Sequence, residues 1–149
     1  SNAMKGNCNA FFCFATMLAC SLVFIGCSQN DGSDVSPSTN DAGAVTSFLM
    51  HDAGLIITLL TDDGDDETDY FESYVFNFSS NGNVAAVGDS DTVTGTYNVF
   101  RDDGRVELYM DFPNVGNFDE LDDDWYFISI DQNTIRFNDD GDRLEFRQR

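Results

Sequence analysis

The sequence predicts an all-β domain over residues 41–149: eight antiparallel strands in an up-and-down meander that closes into a small barrel. Three observations lead there. Segments with period-2 hydrophobicity recur along this stretch, each with one apolar face. The breaks between them are short and rich in Asp, Asn and Gly. Eight strands in about 100 residues leave room only for short connections, and short connections make sequential strands antiparallel neighbours. A two-sheet β-sandwich is the alternative. It usually needs Greek-key crossovers, whereas a meander removes its edges by closing on itself.

The segments run as follows. Asp41 to His51 has room for one or two helical turns, with Ala44, Val45, Phe48 and Leu49 on one side. Leu55 to Leu60 is continuously apolar and bounded by turn residues. Tyr74, Phe76 and Phe78 alternate with polar or smaller residues, and Val84 to Val87 follows. In DTVTGTYNVF, Val93, Tyr97 and Val99 alternate with Thr92, Thr94, Thr96 and Asn98. In RVELYMDF, Val106, Leu108, Met110 and Phe112 alternate with Arg105, Glu107, Tyr109 and Asp111. Tyr126 to Ile130, then Ile135 with Phe137, then Leu144 with Phe146 complete the set. Asn81-Gly82 marks a hairpin whose residues accept positive φ. Asp102-Asp103-Gly104 and Asp139-Asp140-Gly141 fit type I turns followed by a Gly bulge. The longest break, Pro113 to Asp124, holds Asn117 with Glu120 three residues on. That spacing is a capping box, and it predicts one short helix starting at Phe118, just before the Trp125 strand.

YVFNFSSNGNV followed by VTGTYNV resembles a run found in small bacterial lipocalin-like domains. FDELDDDWYFISIDQNTIRFND and the later LEF are similar to the second half of such domains, where a short helix precedes a Trp-led strand. The resemblance covers about residues 54 to 147, and its motifs are turns and core positions. The Gly-x-Trp of typical lipocalin first strands is replaced by Gly54-Leu55-Ile56. What the resemblance implies is a lipocalin-like, calycin-type barrel.

The amino-terminal part has a different character. Ser1-Asn2-Ala3 before Met4 reads as a cloning scar. Lys5 gives a short positive region, and Ala10 to Gly26 is 17 residues without a charge. Phe24-Ile25-Gly26-Cys27 resembles the lipobox of bacterial lipoproteins, with Phe24 where Leu is usual. The resemblance implies a signal peptide over residues 4–26, cleavage before Cys27, and a diacylglycerol on the Cys27 thiol. An uncleaved membrane anchor is the alternative. Residues 27–40, rich in Ser, Asn, Asp and Pro, then form a flexible acidic tether. Among lipoproteins Asp after the lipidated Cys is the usual inner-membrane retention signal. Ser28 stands there, which implies the outer membrane, with the domain facing the periplasm or the cell surface. Cys8, Cys13 and Cys20 leave with the signal peptide, so the expected domain has neither disulfide nor Cys-based metal site.

Charge limits the partners. Lys and Arg total 7 against 27 Asp and Glu, a net charge of −20. A nucleic-acid partner is excluded, because such binding rests on basic residues that displace counterions. Of the acids, 22 are Asp and 5 are Glu, which is a turn composition rather than a helix composition. The motifs of common catalytic sites are missing. His51 is the single histidine and precedes the barrel; Lys5 is the single lysine. There is no HExxH, GxSxG or P-loop. The expectation is a non-enzymatic binding or accessory module of the cell envelope. Its ligand would be a small apolar molecule or an envelope protein. A structural subunit of an envelope complex is the alternative, and a carboxylate-based hydrolase the more distant one. An eight-stranded barrel is just wide enough for side chains to fill. If it is hollow, Tyr74, Phe76, Tyr97 and Trp125 are the candidate ligand-binding residues, with Trp125 lining a mouth or plugging an end. No organic cofactor is expected. Calcium prefers several oxygens at once, and Asp62, Asp63, Asp65, Asp66 and Asp69 are the candidate calcium ligands, although the run lacks the EF-hand pattern.

Overall fold

The computed structural model describes residues 41–149. The segments expected to be a cloning scar, a signal peptide and a tether, with Cys27, lie outside the described residues. The described residues run from α1 (Ala42–Leu49) through β1 (Leu55–Asp62), the two-residue β2 (Asp65–Asp66), β3 (Val75–Phe78), β4 (Asn83–Val87), β5 (Thr92–Asp102), β6 (Arg105–Asp111), β7 (Asp124–Asp131), β8 (Thr134–Asp139) and β9 (Asp142–Gln148). Two single turns of 3-10 helix, Thr68–Phe71 and Phe118–Leu121, punctuate the longer connections. From β3 onward each strand pairs antiparallel with the next, and β9 pairs back onto β1 from Gln148↔Leu55 to Arg143↔Thr61. Eight strands therefore close into a barrel, as the alternation predicts. β2 lies outside it, folded back on the end of β1.

Inward-facing side chains fill this ring. Leu55, Leu60, Phe76, Val106, Leu108, Met110, Ile135, Phe137, Leu144 and Phe146 are fully buried or nearly so. Phe76 meets Phe146 edge-on at 5.4 Å between centroids, and Phe78 meets Phe146 at 5.7 Å and Tyr97 at 4.9 Å. Edge-to-face contacts of this kind add to plain area burial. Gly95 occupies an inward position on β5 for a steric reason. A Cβ there would lie 2.5 Å from the Asp111 carbonyl oxygen and 2.8 Å from the Phe112 ring. The missing side chain makes room for Phe112.

A meander places alternate connections at opposite ends. α1 closes the end where β1 starts, burying Val45, Phe48 and Leu49, and its first turn is capped by Asp41, which accepts the Ala44 N–H at 3.1 Å. The two 3-10 turns close the other end through Phe71, Phe118 and Leu121. Phe71 and Phe118 pack edge-on at 5.3 Å. Trp125 plugs this end, and its indole N–H donates to the Leu121 carbonyl at 3.2 Å.

Local details depart from expectation. Asp103-Gly104 and Asp140-Gly141 have positive φ at both residues (44° and 81°; 42° and 116°), so these are type I′ turns rather than type I turns with a Gly bulge. The register explains this. Asp102 faces Arg105 and Asp139 faces Asp142, leaving two-residue loops, for which the I′ twist matches the strands. At Asn81-Gly82 only Gly82 has positive φ, at 83°. The short helix begins at Phe118 as expected, but as 3-10, and the Asn117 side chain caps nothing. The capping box is not formed.

Two substitutions test this packing in urea unfolding. Phe76→Ala should cost about 3–5 kcal/mol, and a loss below about 1 kcal/mol would mean that the ring faces open space. Gly95→Ala should cost about 1–3 kcal/mol through overpacking against β6.

Candidate functional site

The most concentrated chemistry lies at the 3-10 end, where three acidic connections meet. Asp63-Gly64 forms a type I′ turn with φ of 49° and 90°, and it folds β2 back on β1. The Glu67 N–H then donates to the Leu60 carbonyl at 2.9 Å, and the Thr68 hydroxyl accepts the Leu60 N–H at 3.0 Å. These bonds return the chain to β1 and carry the Glu67 side chain toward Asp62. Glu120 arrives from the second 3-10 turn. Asp62, Glu67 and Glu120 each place a carboxylate oxygen within 4.8 Å of the others, and all three are half-buried. Glu67 Oε2 is buried without a hydrogen-bond partner.

Crowding shows in the protonation of the group. Burial comes first for all three and pushes their carboxyls above the usual range. The neighbouring charges of Asp63 and Asp142 add to this for Asp62, those of Asp62, Asp65 and Asp119 for Glu67, and those of Glu67, Asp62 and Asp119 for Glu120. The Glu120 and Asp62 carboxyls lie within hydrogen-bonding reach of each other, an interaction that raises Glu120 and lowers Asp62. A second carboxyl pair joins the β6–β7 connection to the β8–β9 turn. Asp139 is raised to about 6, first by burial, then by its hydrogen bond to Asp123. Two carboxyl groups can be hydrogen-bonded only when they share a proton.

Of the five calcium candidates only Asp62 joins this trio. Asp63, Asp65, Asp66 and Asp69 are exposed, and Asp66 accepts the Thr68 N–H at 3.0 Å. Glu67 and Glu120 replace them. Glu67 belongs to the same acidic run in the sequence, whereas the Asn117–Glu120 spacing points to a cap that does not form. One oxygen from each member supplies three ligands, half the least that calcium takes.

The four candidate ligand-binding residues do not share a pocket. Phe76, Tyr97 and Trp125 are buried in the packed core. Tyr97 lies toward the α1 end and donates its hydroxyl to the Ser79 carbonyl at 2.9 Å, whereas Trp125 is at the other end. Tyr74 is half-buried, packed against the edge of the core. Its ring packs on Phe118 at 5.1 Å and its hydroxyl donates to Asp91 at 2.9 Å. It borders an outer groove of about 450 Å³ with Ile56, Val75, Val87 and Arg149.

No protein family, curated protein or solved structure matches this chain.

The carboxyl cluster sets a pH dependence. Asp139 is raised in the fold from 3.8 to about 6, so its ionisation opposes folding. That cost is full above about pH 6 and is relieved as pH falls toward about 4, so stability should rise on acidification across this window. Asp139→Asn should raise the thermal midpoint at pH 7.5 and flatten the profile between those values. A parent profile without that rise would refute the shared-proton arrangement.

Proposed function

We propose that this chain is a lipid-anchored, non-enzymatic accessory module of the bacterial cell envelope, working through the outer surface of a lipocalin-like barrel. The observation that carries the reading is the filled interior. Phe76, Phe137, Phe146, Leu108 and Met110 occupy the space in which a lipocalin-type barrel would hold a small apolar ligand. That favours a protein partner bound on the outside. The proposed anchor is the lipid on Cys27, reached through the tether, and the proposed location is the outer membrane, because Ser28 rather than Asp follows Cys27. The acidic surface supports solubility and partner choice at the envelope.

Each half of the reading has its own test. Cys27→Ser should abolish incorporation of labelled palmitate and release the chain from the outer-membrane fraction. A fluorescent fatty acid should show no saturable binding to the barrel. Saturable binding that an apolar competitor displaces would overturn the surface reading.

A further inference from the structure

The tip of the β3–β4 hairpin carries an electrophile and a nucleophile on successive residues. Asn81 supplies a side-chain amide carbon, and Gly82 supplies the backbone nitrogen that follows it. Attack of that nitrogen on Cγ closes a five-membered ring, a size that closes with little strain. A side chain on the following residue shields its nitrogen, and glycine has none. Among the described residues Asn81 is the one asparagine followed by glycine; the others precede Val, Phe, Thr or Asp. Asp63-Gly64, Asp103-Gly104 and Asp140-Gly141 share the nucleophile, but a carboxylate is a poorer electrophile than an amide.

The fold exposes this pair and primes it. Ser79, Ser80, Asn81 and Asn83 are all exposed. The Asn81 Oδ1 accepts the Asn83 N–H at 3.1 Å, which draws electron density away from Cγ. Gly82 has φ of 83°, a conformation that glycine takes without strain and other residues resist, so the unshielded nitrogen is built into the turn. The same turn restrains the reaction. The Gly82 N–H donates to the Ser79 carbonyl at 3.1 Å, and that bond must open before the nitrogen can lose its proton and attack. Tyr97 braces the turn from β5 at two points. Its hydroxyl donates to the Ser79 carbonyl at 2.9 Å, and its N–H donates to the Gly82 carbonyl at 2.8 Å.

We propose that Asn81 is a site of spontaneous deamidation in the folded protein, with the Tyr97 hydroxyl as the brace that sets its pace. Hydroxide from solvent takes the Gly82 amide proton, the nitrogen bonds to Asn81 Cγ, and Nδ2 leaves as ammonia with a proton from water. Water then opens the succinimide ring. Cleavage of the bond from nitrogen to Cγ leaves an aspartate at position 81. Cleavage of the bond from nitrogen to the backbone carbonyl leaves an isoaspartate, with the main chain routed through Cγ. The sum is a water taken up and an ammonia released, with no oxidant or reductant and a further negative charge. The isoaspartate adds a carbon to the main chain between Ser79 and Asn83, where the Ser79 N–H donates to the Asn83 carbonyl at 2.9 Å. Thr46 of α1 lines a shallow groove with Ser80, Gly82 and Tyr97, so the change reaches the closure of that end.

The test keeps the full chain folded at neutral pH and follows every asparagine by peptide mass spectrometry, with ammonia release measured alongside. The amide-to-acid mass gain should appear at Asn81 before any other described asparagine, with isoaspartate among the products. The folded chain should react more slowly than the same chain in urea, because the brace is lost on unfolding. Tyr97→Phe keeps the ring that packs on Phe78 and removes the hydroxyl. It should speed the folded reaction about two- to tenfold, the effect of one lost hydrogen bond on how often the turn opens. In urea the two chains should react at one rate. A folded chain whose Asn81 stays intact while the unfolded chain converts overturns the site, and so does a gain that comes first at another asparagine. Equal rates folded and in urea overturn the brace whatever the fate of the variant. So does a folded Tyr97→Phe chain that reacts no faster than its parent.

Discussion

The pairing of β1 with β9 is the contact on which the remainder of the barrel depends. It joins the first barrel strand to the last, so every inward row is complete only when the carboxy-terminal strand is in place. Closure on that side leaves the other edge of β1 thinly covered. β1 and β3 share a single aligned pair, Leu55 with Phe76. Backbone groups left without partners beside an apolar core are costly. The hairpin through β2 and the first 3-10 turn answer part of this need, since Glu67 and Thr68 satisfy both backbone groups of Leu60 and Phe71 fills the space behind them. At the other end of the seam Gly54 passes so close to Val75 and Asn77 that a Cβ would fall 2.6 Å and 2.8 Å from their side chains.

The same topology concentrates charge. In a closed meander the β1–β2, β4–β5, β6–β7 and β8–β9 connections all emerge at one end, and every one of them carries Asp. None of them needs its acids to be near the others. The barrel brings them together, and the two carboxyl pairs Asp62–Glu120 and Asp123–Asp139 come within hydrogen-bonding reach, which with burial raises Glu120 and Asp139 above the usual range. The one α-helix among the described residues closes the opposite end, so the two ends of one small barrel differ sharply in chemistry. Arg143, at the start of β9 beside Thr61, is the arginine of the domain placed at the crowded end; Arg101, Arg105, Arg136, Arg147 and Arg149 lie farther along the strands.

The strands were readable because burial on one face writes itself as period two, and tight Asp-Gly turns break the pattern at regular intervals. Turn positions were readable as well, but not turn types. Type I′ at Asp103-Gly104 follows from the pairing of Asp102 with Arg105, which is a property of two strands and not of the four turn residues. Asn117 and Glu120 have the spacing of a capping box, yet Glu120 turns to Asp62, because that contact exists only after β1 and the second 3-10 turn meet. Glu107 is harder still. Alternation marks it correctly as outward-facing, and outward normally means solvated. Its burial comes from Phe100 and Tyr126 on two other strands.

The sequence by itself determined the all-β class, the number of barrel strands, the places where they turn, and the excess of acid carried by loops. Each of these is a local property, set by residue alternation and by the φ preferences of Asp, Asn and Gly. The tertiary structure alone decided that Phe76, Tyr97 and Trp125 belong to a solid core, that Asp62 meets Glu67 and Glu120 rather than its nearer aspartates, and that Glu107 is enclosed. Those outcomes depend on register and closure, which bring distant residues within a few ångströms, and no spacing along the chain encodes a distance across it.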